Sequence, residues 1–195
     1  GIVCVVVFKQ KTAYEMLRSL VGSEMCIRDS VDGICKDEAT FSERFMRSMV
    51  GVDRVILCDT GSTDGTPDIL RSLGAEVNEI AVAPWRFDLA RNMALSYVPL
   101  EARICISMDL DEVLLPNWRE TLEKAWTPET TMLRYPFIHN WQDREQTIPR
   151  LSVWGFKIHS RNGYIWRYPC LLYTSDAAED PTCRSLGGRR TTTTK

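Results

Sequence analysis

Two short stretches of the 195-residue chain hold the side chains best suited to chemistry. Asp109-Leu110-Asp111-Glu112 puts three carboxylates into four residues, directly after the apolar run 103–108. In an extended segment residues two apart project to the same side, so Asp109 and Asp111 would converge on one point. Oxygen donors of this kind suit a hard divalent cation, Mg²⁺ or Mn²⁺, which completes its shell with water and substrate phosphates. A solvated acidic turn leading to a helix near Pro116 is the other reading of the same residues. Asp59 closes a second apolar run, Val55 to Cys58, and opens the turn-rich loop Thr60-Gly-Ser-Thr-Asp-Gly65. Such a loop could hold a nucleoside through hydrogen bonds to base or ribose. It is not an EF-hand, because the bidentate Glu needed at loop position 12 is Leu70. An Asp-x-Asp-Gly-Thr phosphatase motif fails too, since Ser62 stands where its nucleophile would be.

Placing these carboxylates takes buried strands that end where the polar residues begin. Val55 to Cys58 reads as such a strand. Thr66 then stands as N-cap of a helix, with Pro67 at its first position, Asp68 in its first turn and Ile69, Leu70 and Leu73 on one face. Ala75 to Ile80 alternates as a strand, Phe87 to Tyr97 has helical spacing through Phe87, Ala90, Met93, Ala94 and Tyr97, and 103–108 is a further strand. Upstream, Gly33 to Cys35 is a strand remnant, and Phe41, Phe45, Met46 and Met49 mark a helix. Alternating strands and helices give a layered α/β fold with a largely parallel sheet, whose ligands bind outside the carboxyl ends of the strands. From Thr130 onward the pattern changes to β-branched and aromatic runs, 131–138 and 151–158, with Asn162-Gly163 as a hairpin turn before Tyr164 to Tyr168. These read as antiparallel strands covering one edge of the site.

Composition sets the outer limits. A net charge of −2 and a pI near 5.8 leave no basic excess for nucleic acid or an anionic membrane. The longest apolar run, Ile2 to Phe8, is too short to span a bilayer, so no transmembrane segment is expected. Seven cysteines at irregular spacing, without a CxxC pair, form neither a disulfide framework nor a zinc site.

The two ends differ from the middle. Residues 1–30 and 170–195 have no sustained period, and the chain closes on Gly187-Gly-Arg-Arg-Thr-Thr-Thr-Thr-Lys195. Cys170 to Ser175 can be encoded TGT CTC TTA TAC ACA TCT, and the reverse complement of that word encodes Met25-Cys-Ile-Arg-Asp29. Both ends resemble translated sequencing-library adapters, and such segments are set aside from fold reasoning. The expected domain limits are therefore 31–169, flanked by adapter-like segments at 1–30 and 170–195. The core then holds 16 basic and 20 acidic residues and three thiols, Cys35, Cys58 and Cys105, each read as a buried free cysteine.

Taken together, Ile34-Cys-Lys-Asp-Glu38, Val52 to Thr66, Trp85 to Asn92 and Met108-Asp-Leu-Asp-Glu112 resemble the family 2 glycosyltransferases of GT-A fold. The likeness is greatest to the SunS-like peptide glycosyltransferases and their relatives with tetratricopeptide repeats, and it covers roughly residues 31–115. The resemblance implies an α/β GT-A (Rossmann-like) fold with a mixed, mainly parallel sheet, incomplete here at both ends. It also implies a nucleotide-sugar donor, most often a UDP-sugar, and transfer to an acceptor that is a peptide, a glycan or a lipid-linked molecule. Carried over residue by residue, Lys36 and Glu38 lie beside the nucleotide and Asp59 binds the base. Asp88, Arg91 and Asn92 line the nucleotide and diphosphate side, Asp109 approaches ribose and metal, and Asp111 is the principal ligand of a Mn²⁺ or Mg²⁺ cofactor. A cytoplasmic location follows from where nucleotide sugars occur.

Several residues have plainer readings. For Lys36 the plainer reading is a solvated lysine, and for Arg86 and Arg91 it is surface pairing with Asp88. Trp85 and Trp118 read as packing, and His139 and His159 as lone histidines. The family continues past Pro169 into a His-Glu pair, where Cys170 stands here, so no general base is assigned and Asp143 has no motif behind it. A non-catalytic nucleotide-sugar binding fragment and a nucleotidyltransferase of similar fold are the alternatives.

Overall fold

The structure is a computed structural model that describes residues 2–3, 29–143, 149–167 and 171–174. Most of both adapter-like segments lies outside these residues. In chain order the strands are β1 (Ile2–Val3), β2 (Asp29–Cys35), β3 (Arg54–Asp59), β4 (Glu76–Glu79), β5 (Ile104–Ser107), β6 (Met132–Trp141), β7 (Pro149–Ser160), β8 (Tyr164–Arg167) and β9 (Leu171–Thr174). The helices are α1 (Ala39–Ser48), α2 (Thr66–Ser72), α3 (Phe87–Tyr97) and α4 (Trp118–Ala125). Seven strands form one mixed sheet in the order β1-β6-β7-β5-β2-β3-β4. The stretch from β5 through β2 and β3 to β4 is parallel, and β7, β6 and β1 extend it antiparallel. The expected α/β class and the switch to antiparallel strands are both present.

β2 and β5 are buried along their whole length because helices cover both faces. On one face Val31, Leu57, Ile104 and Ile106 pack with Phe45 and Met49 of α1, Leu70 of α2 and Trp118 and Leu122 of α4. On the other, Ile34, Ile56, Cys58 and Cys105 meet Ala90, Ala94 and Leu95 of α3. Cys35, Cys58 and Cys105 are buried free thiols, as expected. Two glycines are fixed by close approach. A Cβ on Gly33 would stand 2.3 Å from the Met108 carbonyl oxygen, and one on Gly155 would stand 2.6 Å from the Tyr135 ring.

Four expectations need correction. α2 is capped by Gly65 at φ 84° and not by Thr66, whose Oγ1 accepts the Glu38 N–H at 2.8 Å. The inward face of α3 is Ala90, Arg91, Ala94 and Leu95, while Phe87 and Tyr97 are about half exposed. β5 ends at Ser107, and Asp109 to Glu112 forms a turn closed by Glu112 N–H to Asp109 O at 3.0 Å in place of an extended segment. After the Asn162-Gly163 turn, β8 leaves the main sheet and pairs antiparallel with β9.

Candidate functional site

The carboxyl ends of β2, β3 and β5 fall side by side, so the loops after Cys35, Asp59 and Ser107 share one edge of the sheet. The first two loops are knitted together. Asp37 Oδ1 accepts the Thr63 N–H at 2.7 Å, Asp37 N–H donates to Ser62 Oγ at 2.8 Å, and Asp64 Oδ2 accepts the Ala39 N–H at the start of α1 at 2.9 Å. Asp59 organises its own loop by accepting the N–H groups of Gly61 and Ser62, each at 3.0 Å, and the Ser62 hydroxyl. Burial alone would raise its pKa, yet these donors together hold it below the ordinary range. The carboxylate expected to meet a nucleobase is thus 3 % exposed and engaged with backbone, and Thr60 forms the nearby cleft wall.

That wall belongs to a cleft of about 690 Å³. Lys36, Glu38 and Thr60 line it from the loops, Trp85, Phe87 and Arg91 from the start of α3, and Asp109 from the end of β5. Arg91 is the inward-facing charge of α3. Its Nη2 lies 2.6 Å from Asp109 Oδ1, its guanidinium stands over the Trp166 ring at 4.9 Å, and its Nε and Nη1 are buried without a hydrogen-bond partner. Asp109 Oδ2 accepts from Lys157 Nζ at 3.0 Å, and the same ammonium reaches Glu112 Oε1 at 2.7 Å. Burial would raise the Asp109 pKa, but Lys157 and Arg91 hold it below its usual value. Glu38 has the opposite balance. Burial, Asp111 and Asp109 outweigh a backbone hydrogen bond from Lys36 and push its pKa up to about 7. Asp109 and Asp111 therefore both lie close enough to Glu38 to be felt electrostatically, and Arg44 Nη2 secures the turn by donating to the Asp111 carbonyl at 2.8 Å.

A second cleft, of about 680 Å³, adjoins the first across Trp85 and Phe87, whose rings meet edge-to-face at 5.1 Å. Asp88 and Asn92 line this second cleft. Asp88 is paired with Arg86 at 2.6 Å. Asn92 grips the backbone of Trp166 from both sides, Nδ2 to O and N to Oδ1, each at 2.8 Å. Of the sequence-derived residues, then, Lys36, Glu38, Arg91 and Asp109 gather at the first cleft, and Asp88 and Asn92 at its neighbour. Trp118 packs in the core as expected, whereas Trp85 is 45 % exposed on the wall between the clefts. His159 is fully buried, which lowers its pKa to about 4, and His139 is exposed.

Sequence reasoning passed over Lys157, although a lysine between Phe156 and Ile158 in a strand pattern was a usable signal. It also passed over Glu112 as the anchor of that lysine. Among the described residues no group of three or more His, Cys, Asp or Glu is placed to hold a metal ion by itself. Both carboxylate oxygens of Asp109 are engaged, by Arg91 and by Lys157, so a hard cation at this carboxylate would have to take the place of one of them. No helix among the described residues is long and apolar enough to cross a membrane.

Two of the solved structures similar to the chain are glycosyltransferase-related proteins. The mannosyltransferase PcManGT from Pyrobaculum calidifontis, in complex with GDP-Man and Mn²⁺, is 21 % identical over 61 % of this chain and 41 % of its own, with a TM-score of 0.44. Residues 1–349 of S. aureus TarS are 22 % identical over 50 % of this chain and 31 % of that one, with a TM-score of 0.42. The chain thus spans less than half the length of either. The model of the family described as Glycosyl transferase family 2 matches residues 34–178, which takes in both clefts and every strand from β3 to β9. With most of its length inside that match, the chain belongs to glycosyl transferase family 2.

Proposed function

We propose that the cleft at the ends of β2, β3 and β5 binds the nucleotide part of a sugar donor, most simply a UDP-sugar, for transfer to an acceptor. One observation carries this reading: two cationic side chains, Lys36 and the largely buried Arg91, line the same cleft, with the Arg91 guanidinium held in place by Asp109 and the Trp166 ring. Two cations lining one cleft suit an anion such as a diphosphate. Lys36 and Thr60 border the nucleotide side, and Asp59 supports it from behind by shaping the loop. Asp111, with Asp109 beside it, would hold Mn²⁺ or Mg²⁺, whose chemistry is to stabilise negative charge on a departing diphosphate. Asp109 also orients Arg91.

The finer branch, with SunS-like enzymes and tetratricopeptide-associated relatives, rests on the quoted motifs. The domain limits 31–169, the adapter origin of the flanks and a cytoplasmic setting belong to the same proposal. The second cleft, with Trp85, Phe87 and Arg167, is the neighbouring place for sugar or acceptor. The test is hydrolysis of UDP-glucose, UDP-N-acetylglucosamine and GDP-mannose with Mn²⁺, followed by release of the nucleoside diphosphate. Turnover that is lost in Asp111→Ala supports a metal-assisted transferase. Stabilisation by UDP without turnover leaves a binding module, and pyrophosphate release from a nucleoside triphosphate replaces the proposal with a nucleotidyltransferase.

A further inference from the structure

Asp32 stands in the middle of β2, 1 % exposed, in a strand that is buried along its whole length. It is paired in register with Ser107 of β5, whose hydroxyl donates to Asp32 Oδ2 at 2.9 Å, while Oδ1 is buried without a hydrogen-bond partner. Alternation along the strand puts Asp32 on the same face as Ile34, which packs with Ala90 and Ala94 of α3. Arg91 follows Ala90 on that helix and is itself turned inward. Its Nε and Nη1 are buried without a hydrogen-bond partner, so the guanidinium has an inner edge that Asp109, accepting from Nη2, leaves unmet. The Met108 N–H donates to the Asp32 carbonyl at 2.9 Å, which brings the next residue, Asp109, close to Asp32 as well.

Asp32 and Arg91 are thus opposite charges on facing layers. No hydrogen bond joins them directly, so they act on each other through the field, which little solvent screens at this depth. Burial pushes the Asp32 pKa up to about 6, with the Ser107 hydroxyl and the Arg91, Arg161 and Lys157 charges pulling against it, so the carboxylate is charged at pH 7. Of these three cations, Lys157 is engaged with Asp109 and Glu112, and Arg161 donates through Nε to the Val98 carbonyl. A charge is costly to keep in a buried strand, where an apolar residue would serve the fold.

We propose that Asp32 is a positioning residue for Arg91: it draws the inner edge of the guanidinium toward β2 while Asp109 holds Nη2 and the Trp166 ring covers the plane, so that Arg91 meets the diphosphate of a bound nucleotide in one orientation. The proposal rests on the donor-site reading above. It accounts for a carboxylate in the middle of a buried parallel strand and for the side of Arg91 that Asp109 does not reach. It also makes a specific demand: Asp32 must matter to the nucleotide only while Arg91 is present.

Asp32→Asn keeps the shape and an acceptor for Ser107 but removes the charge. Its effect is measured on the full chain, in the parent and in Arg91→Met, by calorimetric titration of UDP in Mn²⁺ and by urea unfolding. In the parent, Asp32→Asn is expected to weaken UDP binding about fivefold, the size of a common coupling between neighbouring residues. In Arg91→Met it is expected to leave UDP affinity unchanged. It should also lower the urea midpoint more in the parent than in Arg91→Met, where the carboxylate has already lost its cation. The Ser107 hydrogen bond and the packing are the same in both backgrounds, so additive effects in either cycle overturn the proposal. Where Arg91→Met does not fold, nitrogen-15 NMR of the Arg91 Nε–H decides: its exchange with water should be severalfold faster in Asp32→Asn than in the parent, and equal exchange overturns the proposal. A parent chain that binds no UDP overturns the donor-site reading along with it. UDP binding that is indifferent to Asp32→Asn overturns this proposal alone.

Discussion

Replacing Asn92 with alanine tests whether this side chain is a clamp on β8 or a contact for the ligand. In the structure both arms of its amide are spent on Trp166, Nδ2 on the carbonyl and Oδ1 on the N–H, each at 2.8 Å. Trp166 itself is 2 % exposed and carries the ring beneath Arg91. Asn92→Ala therefore removes two hydrogen bonds and strands two backbone groups beside a buried residue. Net hydrogen bonds are worth about 1 kcal/mol each, and buried groups left unsatisfied cost about 1–3 kcal/mol more. The expected loss is about 2–4 kcal/mol, read as a lower urea midpoint at unchanged m-value. In a domain of this size that corresponds to a fall in Tm of roughly 5–12 °C. Arg91, losing the ring that covers it, should bind UDP more weakly as a secondary effect. A midpoint within about 0.5 kcal/mol of the parent together with lost UDP binding refutes the clamp and returns Asn92 to direct ligand contact.

Three further outcomes follow from the same geometry. Gly155→Ala forces a methyl group to within 2.6 Å of the Tyr135 ring, so it should destabilise the β6–β7 pair by about 1–3 kcal/mol in denaturant unfolding, and a neutral result would show that the ring can withdraw. Asp59→Ala deprives the Gly61 and Ser62 N–H groups of their acceptor and should cost about 2–4 kcal/mol while speeding proteolysis within 60–65; a role confined to base recognition would leave both unchanged. Glu38 has a folded pKa of about 7 against an ordinary value of 4.5, so the folded chain binds more protons than the unfolded chain between those values. Its contribution to stability is therefore fully present at acid pH and declines as pH rises from about 4.5 to about 7. Glu38→Gln should raise stability at pH 8 relative to the parent, with the gap closing at pH 4, and an equal gap at both values would refute the assignment.

Much of the fold was legible because it depends on local chemistry. The α3 boundaries, Phe87 and Tyr97, were read directly from helical spacing, and the strands at 54–59, 104–107 and 132–141 lie within two or three residues of their apolar runs. The orientation of α3 was not legible. Counting apolar residues points Phe87 and Tyr97 inward, yet Arg91 takes an inward position because Asp109 neutralises it and Trp166 covers it. Those partners lie 18 and 75 residues away in sequence, so no local pattern reveals them. Of the two readings of Asp109 to Glu112, the turn is the one found and the extended segment is not, for a related reason. Strand alternation continues on paper past Ser107, but burial of Leu110 and the return of the Glu112 side chain to the Asp109 N–H bend the chain instead.

The sequence by itself determined the class of fold, the edge of the sheet where a ligand would lie, and the family through four motifs in order. Each is a matter of residue type and spacing along the chain. Tertiary structure decided which of those residues share a cleft. It turned Asp59 back into its own loop, gave Asn92 to the backbone of Trp166, and brought Lys157 across 48 residues to Asp109. A charged side chain can be buried only where an opposite charge meets it, and that meeting is arranged by strand pairing between β5 and β7 rather than by any neighbour in sequence.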